Sequence, residues 1–287
     1  MSSTTEETTL MALLNLLDDP DPEVFSHIRN KVIEIGPVAL PYLENAAEKR
    51  NDQLSGNRIS TLLKQINYNK TELALLEWKN NGNQSLVEAA TILCAYQYPK
   101  LDIEYIQQQI EKLKKDVWLE LNEEFTALEK IHILNHVFYK IYNFKGNKTN
   151  ISHHQNSLLI DLLKNRQGNS VIISILYLEI AQHLDLPVYG VNLPENFVLT
   201  YLKSGQLHSD SQAMFYINPF NNGIVFTRED IDTFLNQLEL ESDKMHYEPC
   251  NNVTIIKRLM SELTQAYDLA SEHEKCEDLK KLNNRLG

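Results

Sequence analysis

The residues best suited to chemistry lie in a short turn, Gly168-Asn169-Ser170, which precedes an almost wholly apolar segment. Asn169 and Ser170 are residue types that cap helix N-termini, and residues 171–184 predict a helix that is buried on most sides. Unpaired N–H groups and the helix dipole converge at such a start. The serine could therefore act as a nucleophile there, or the helix start could bind an anion.

The residues after this helix predict a small sheet behind it. Asp185-Leu186-Pro187 ends the helix, residues 188–191 predict a buried strand, and a Pro-Glu-Asn turn leads into a second strand at 197–202. Residues 213–217 and 224–226 predict two further short strands joined by a tight turn at Asn221-Asn222-Gly223.

Three segments carry a resemblance to a known family: GNSVIISILYLEIA from Gly168, LPVYGVNLP from Leu186, and YINPF from Tyr216. In this order they resemble the transglutaminase-like superfamily, and within it the bacterial SirB-regulator-type branch, over about residues 101–236. The resemblance implies a papain-like core in which a cysteine begins a helix, a histidine lies on one strand and an aspartate on the next.

The resemblance also shows what this chain lacks. The cysteine position falls on Ser170, the histidine position on Asn196 and the aspartate position on Asn218. An amide cannot accept and return a proton as an imidazole does. Exchange of a triad aspartate for asparagine costs about 10⁴-fold in the turnover of a serine protease. We therefore expect an inactive triad that leaves a polar patch, which could bind a ligand or only satisfy its own hydrogen bonds: Asn169, Ser170, Glu195, Asn196 and Asn218.

The rest of the chain is predicted to be mostly helical. Apolar spacing indicates helices within residues 10–66, and the Asp-Asp-Pro-Asp-Pro turn and the Gly-Pro-Val-Ala-Leu-Pro segment resemble HEAT-type repeats. Further helices are expected at 72–78, 85–96, 103–120, 124–142, 158–164 and 227–238, and in a tail at 252–286. The predicted domains are HEAT-like hairpins at 1–68, a transglutaminase-like domain at 69–238 (lead-in 69–145, core 146–238) and a helical extension at 239–287. The expected fold class is α+β and predominantly helical.

Composition narrows the classes of partner and location. The formal net charge of −12 argues against binding to nucleic-acid phosphates, and no apolar run is long enough to cross a bilayer. The N-terminus lacks the features of a signal peptide. The three cysteines are odd in number and far apart, which favours reduced thiols and a cytoplasmic location.

The other candidate sites have plain interpretations. His132 and His136 have the spacing of a zinc-binding pair but no glutamate between them, and His153-His154 has no acidic or cysteine neighbour in sequence. His183 lies at the far end of the central helix from Ser170, and His208 lies in a polar turn. We therefore expect no metal and no cofactor.

Three functions remain open. The first is a non-catalytic binding or scaffolding protein with a protein partner or a small polar ligand. The second is an acyl-transferase or an amide or peptide hydrolase that uses Ser170 with a base recruited from elsewhere, such as His153, His154 or Glu195. The third is a sensor that binds a small ligand at the degenerate cleft.

Overall fold

The computed structural model describes residues 2–49, 52–82, 84–150, 152–203 and 213–287, with side chains from Glu7 onward. The chain forms two compact units, Met1–Ala74 and Leu75–Gly287. The domain boundaries expected from the sequence stay predictions. The fold class is confirmed: the chain is α+β and predominantly helical, with one small antiparallel sheet.

The first unit is built from helices that share one apolar core. These are α1 (Ser2–Asn15), α2 (Pro22–Ile35), a 3-10 turn (Gly36–Ala39), α3 (Leu40–Lys49) and the first part of α4 (Gln53–Asn80). Asp21 caps α2 by accepting the Glu23 N–H at 2.8 Å. The buried Arg58 guanidinium donates to the Leu17 carbonyl at 2.9 Å and lies over the Phe25 ring, so it joins α4 to the turn before α2. The core consists of Leu10, Leu14, Leu17, Ile28, Val32, Ala39, Leu43, Ile59, Leu62 and Ile66.

One prediction for this region was wrong, because α4 is a single helix where the sequence pattern indicates two. The polar stretch between the predicted helices stays helical. The Thr71 hydroxyl donates to the Asn67 carbonyl at 2.8 Å, and Gln65 donates to the Asn69 side chain at 2.9 Å. A run of polar residues in a sequence is usually interpreted as a break between helices. Here these polar side chains form hydrogen bonds within the helix, so the run does not mark a break.

The second unit begins with helices that surround the central helix. They are α5 (Leu86–Gln97), α6 (Ile103–Glu120) and α7 (Ala127–Asn135), which continues as a π-helix (His136–Ile141). A two-residue strand β1 (Lys145–Gly146), a 3-10 turn (His154–Ser157), α8 (Leu159–Asn165) and a two-residue strand β2 (Gln167–Gly168) lead to α9 (Ser170–His183). β1 and β2 pair in parallel, with Gly146 opposite Gly168.

The sheet follows α9 and is antiparallel throughout. Its strands are β3 (Val188–Asn192), β4 (Phe197–Leu202), β5 (Ala213–Asn218) and β6 (Ile224–Phe226), and they lie side by side in that order. The register pairs Asn192 with Phe197, Leu199 with Ile217 and Asn218 with Ile224. The end of β3, the start of β4 and the end of β5 therefore lie at the same end of the sheet, along the strand direction.

Helices complete the second unit: α10 (Arg228–Gln237), α11 (Asn252–Leu269) and α12 (His273–Arg285). The predicted helical tail is thus divided in two, at Ser271 in the left-handed backbone region (φ 58°). α9 is the centre of this unit, with ten buried residues. It contacts β3, β4, α5, α6, α8 and α11. No helix among the residues described is long and apolar enough to cross a bilayer.

Candidate functional site

The start of α9 is held by a fully bonded cap. The Asn169 side-chain oxygen accepts the Ile172 N–H at 2.9 Å, and its amide nitrogen donates to the Ser157 hydroxyl at 2.8 Å. The Asn169 backbone N–H donates to the Asn156 carbonyl at 2.7 Å. Asn169 is therefore the N-cap, and Ser170 is the first helical residue.

Ser170 lies where the helix start meets the sheet. The backbone N–H of Phe197, at the start of β4, donates to the Ser170 hydroxyl oxygen at 3.4 Å. The Ser170 carbonyl accepts the Ser174 hydroxyl at 2.6 Å. Within the part of the chain that the structure describes, no histidine or carboxylate hydrogen-bonds the Ser170 hydroxyl. Among those residues, the half-buried hydroxyl thus has a backbone donor and no hydrogen-bonded base.

Asn196 and Glu195 form the turn directly before β4. Glu195 is exposed and has a left-handed backbone (φ 58°), and the Asn196 N–H donates to the Pro194 carbonyl at 2.6 Å. The Asn196 side chain is half-buried and makes no hydrogen bond within the described residues. Since Phe197 contacts Ser170, the position before it is adjacent to the helix start.

Asn218 lies at the same end of the sheet as Phe197, but its hydrogen bonds are made within the turn that follows it. Its side-chain oxygen accepts the Asn221 N–H at 3.1 Å, and its carbonyl accepts the Gly223 N–H at 2.9 Å. The side chain caps the 3-10 turn Pro219–Asn221. The structure thus brings Ser170 and the start of β4 together, while Asn218 bonds to its own turn.

The turn after β5 is fixed from outside by aromatic hydroxyls and an amide. Tyr139 donates to the Pro219 carbonyl at 3.0 Å. Tyr177 on α9 donates to the Asn135 side chain at 2.9 Å, and Asn135 donates to the Gly223 carbonyl at 2.8 Å. A methyl group at Gly223 would overlap Asn135, so this position requires glycine. Tyr177 and Phe197 are fully buried, whereas Tyr189 is half-buried.

A second layer of amides supports the cap of α9, and the sequence pattern did not indicate it. The Asn147 side chain donates to Asn156 at 2.9 Å and accepts the N–H groups of Thr149 and Asn150 at 3.2 Å each. The Asn156 carbonyl in turn accepts the hydrogen bond from the Asn169 backbone N–H. Loop asparagines of this kind look like ordinary turn residues in a sequence, so only the fold shows that they converge.

His153 caps a 3-10 turn that begins at His154, and the two rings stack on each other. The His153 and His154 ring centroids are 4.5 Å apart, and His154 also stacks on Tyr267 at 5.3 Å. Burial, followed by the charge of His153, lowers the pKa of His154. The two rings come together where the chain bends into the 3-10 turn His154–Ser157.

Among the described residues, none of the other histidines and none of the cysteines hydrogen-bonds the Ser170 hydroxyl. His132 and His136 are exposed on α7 and the π-helix, His183 is exposed at the far end of α9, and His208 lies outside the described residues. Within the described ranges no group of three or more His, Cys, Asp or Glu side chains is arranged to hold a metal. Burial raises the pKa of the Cys94 thiol to about 12 and that of Cys250 to about 11, which disfavours their thiolates.

Comparison with known proteins agrees with this architecture. The family model described as transglutaminase-like superfamily matches residues 104–261, which is more than half of the chain. No solved structure matches.

Several relatives align with this chain. A UPF0162 protein of Vibrio cholerae serotype O1 is 27% identical over 184 residues, which cover 63% of this chain and 66% of that protein. The UPF0162 protein YchA of Escherichia coli K12 is 26% identical over 170 residues, 58% of this chain and 59% of that protein. F-box only protein 21 of Homo sapiens is 30% identical over 105 residues, 36% of this chain but 17% of that protein.

The alignments therefore span less than two thirds of each bacterial relative's own length. The part matched by the family model contains α9, its cap, the whole sheet and most of α11. On this match, the chain belongs to the transglutaminase-like superfamily.

Proposed function

We propose that this chain is a non-catalytic transglutaminase-like protein that acts as a cytoplasmic binding or scaffolding protein. In this proposal Ser170, Asn196 and Asn218 occupy the cysteine, histidine and aspartate positions of an active relative. The observation that carries the proposal is the surroundings of the Ser170 hydroxyl, which faces the Phe197 N–H and, among the described residues, bonds to no proton acceptor.

The residue types at Ser170, Asn196 and Asn218 support the absence of catalysis. A serine hydroxyl needs an adjacent base to become a useful nucleophile at neutral pH. The amide of Asn196 cannot accept the proton, and the Asn218 side chain is engaged by the Asn221 N–H. The Phe197 N–H would remain as a single hydrogen-bond donor for a developing oxyanion, but a donor alone does not activate the serine hydroxyl.

The finer family placement and the binding role belong to the same proposal. We place the chain in the SirB-type branch and treat the first unit as a HEAT-like hairpin pair, because its helices share one continuous apolar core. Helical repeats of this kind present surfaces to protein partners. Three free cysteines, two of them buried, support a reducing compartment such as the cytoplasm.

Labelling with a serine-directed fluorophosphonate, followed by intact-mass measurement, tests the loss of catalysis. The native chain and Ser170→Ala are incubated side by side. The expected result is the same mass for both, with no adduct that depends on Ser170. An adduct on the native chain that is absent from Ser170→Ala would overturn the proposal and favour the hydrolase or acyl-transferase alternative.

The small-ligand sensor is the second candidate, and the half-buried Asn196 amide without a hydrogen-bond partner in the described residues favours it. A carboxylate or amide ligand could bond to this side chain beside the start of α9. Thermal unfolding of the native chain with acetate or acetamide, compared with Asn196→Ala, tests it. A stabilisation that requires Asn196 would support a sensor, and equal responses of the two proteins would exclude these ligands.

A further inference from the structure

A groove at the opposite end of α9 from Ser170 combines exposed apolar side chains with carboxylates. It has a volume of about 660 Å³ and lies between the end of α6 and the turn that follows α9. Trp118 and Leu119 form its rim and are 64% and 62% exposed. Leu121, Leu184 and Leu186 also line it.

The exposure of Trp118 is unusual for this residue type. The chain has two tryptophans, and the other, Trp78, is 1% exposed and donates its indole N–H to the Ser85 carbonyl at 2.7 Å. α6 buries its other face through Ile106, Ile110, Leu113 and Val117, so Trp118 is not needed for its packing. Exposed tryptophan beside an apolar groove is typical of protein interfaces.

The charged residues of the groove indicate the kind of partner. Glu123 and Asp185 line it, and neither forms an ion pair within the described residues; Lys130 and His183 are the basic residues among its lining. Glu120 and Glu124 extend the negative charge on the exposed segment after Trp118. An arginine suits such a surface, because its guanidinium can stack on an indole while it bonds to a carboxylate.

We infer that the Trp118 groove, defined by Trp118, Leu119, Leu121, Glu123, Leu184 and Asp185, docks a partner protein through a segment that carries arginine beside apolar residues. The apolar residues of that segment contact the leucines, and its guanidinium lies between Trp118 and the two carboxylates. This inference deepens the binding role proposed above and rests on it, but it does not involve Ser170.

Fluorescence of Trp118 provides a direct test on the full chain. The probe is the tryptophan-free peptide acetyl-Leu-Arg-Ala-Leu-Arg-Ala-Leu-amide, and its matched control replaces both arginines with glutamate. The difference between the emission of the native chain and of Trp118→Phe isolates the Trp118 signal. Because Trp118 is exposed, the Phe variant is expected to fold.

The expected result is a saturable blue shift and reduced acrylamide quenching of Trp118 with the arginine peptide. Binding should weaken by about tenfold or more with the glutamate peptide and in the double variant Glu123→Gln, Asp185→Asn. The matched control is Glu241→Gln, Asp268→Asn, which removes the same charge from exposed positions elsewhere and should leave binding unchanged.

Four results would overturn the inference. Equal responses to both peptides, or equal losses in both double variants, would show that only general charge or hydrophobicity is at work. No response to the arginine peptide at millimolar concentration would exclude the proposed partner chemistry. A blue shift that follows protein concentration without peptide would assign the groove to a second copy of the chain. Because labelling at Ser170 is a separate readout, failure here is distinguishable from failure of the non-catalytic proposal.

Discussion

At the scale of single residues, the start of α9 separates a structural asparagine from a serine with little structural role. Asn169 makes hydrogen bonds with Ile172, Ser157 and Asn156, whereas the Ser170 hydroxyl accepts a single long one from Phe197. The residue type that caps the helix could be predicted from sequence. The partners of the cap could not, because they lie in a loop whose path depends on the whole unit.

Asn169→Ala should therefore destabilise the protein more than Ser170→Ala. Loss of an N-cap costs about 0.5–2 kcal/mol, and Ser157 would also lose its partner, while Ser170→Ala should cost about 0.5 kcal/mol or less. Urea unfolding of both variants and the native chain measures this difference. A larger loss of unfolding free energy for Ser170→Ala than for Asn169→Ala would mean that the Ser170 hydroxyl makes a stronger interaction than the one with the Phe197 N–H.

His154 should make the protein less stable as the pH falls. Burial lowers its pKa in the folded state, whereas in the unfolded chain it titrates near its usual value of about 6.5. Between these two values the unfolded chain binds a proton that the folded chain does not, so the contribution is present above about pH 6.5 and is lost as the pH falls through the folded pKa. His153 and Lys275 add to the lowering, and Glu272 and Asp161 oppose it.

His154→Phe keeps a ring to stack on Tyr267 and removes the titration. Its melting temperature should fall less than that of the native chain between about pH 7.5 and pH 5. His132→Gln, at an exposed position, serves as the control and should retain the native pH dependence. If His154→Phe and the native chain show the same dependence, the acid sensitivity arises from other groups.

At the scale of elements, the core helix and the strands around it were readable in the sequence, but several connections were not. The apolar run of α9 and the short apolar segments of β3 and β4 indicate buried elements by composition alone. The β1–β2 bridge has two residues per strand and pairs residues that are 22 positions apart in the chain, so no local pattern predicts it. The π-helix after α7 likewise leaves no mark in the apolar spacing.

The packing of β1 against the turn after β5 depends on the absence of a side chain at Gly146. A methyl group there would lie 2.6 Å from both the ring and the carbonyl oxygen of Phe220. Gly146→Ala should therefore destabilise the protein by about 1–3 kcal/mol, because backbone as well as side chain must move. Gly56→Ala is the control: it is exposed in α4 with nothing near the added methyl, and it should stabilise by up to about 1 kcal/mol. Denaturant titration distinguishes the two, and a neutral Gly146→Ala would contradict the close contact.

At the scale of the whole molecule, the superfamily domain lies in the second of two units, each with its own packed helices. The segment order of a known family made the fold class predictable, since helix, strand and turn motifs occur in the family's order. The proposed triad positions of Ser170, Asn196 and Asn218 rest on the same resemblance. The hydrogen bonds of these side chains could not be predicted in this way. The Asn218 side chain accepts a hydrogen bond from Asn221 in the turn that follows it, and the Asn196 side chain makes no hydrogen bond in the described part of the chain.

The most direct test of the account restores the missing groups at the proposed positions. Ser170→Cys is compared with the triple variant Ser170→Cys, Asn196→His, Asn218→Asp, and the rate of alkylation of residue 170 by iodoacetamide is measured near pH 6 by peptide mass. Both thiols share the start of α9, so any effect of the helix dipole cancels between them.

We expect the triple variant to react about tenfold faster or more, because an imidazolium next to the cysteine lowers the pKa of its thiol. The single variant should react at the modest rate of a thiol without a nearby base. A single variant as reactive as the triple would reveal a base recruited from elsewhere and would contradict the non-catalytic account. A triple variant no faster than a slow single variant would contradict the assignment of Asn196 to the histidine position.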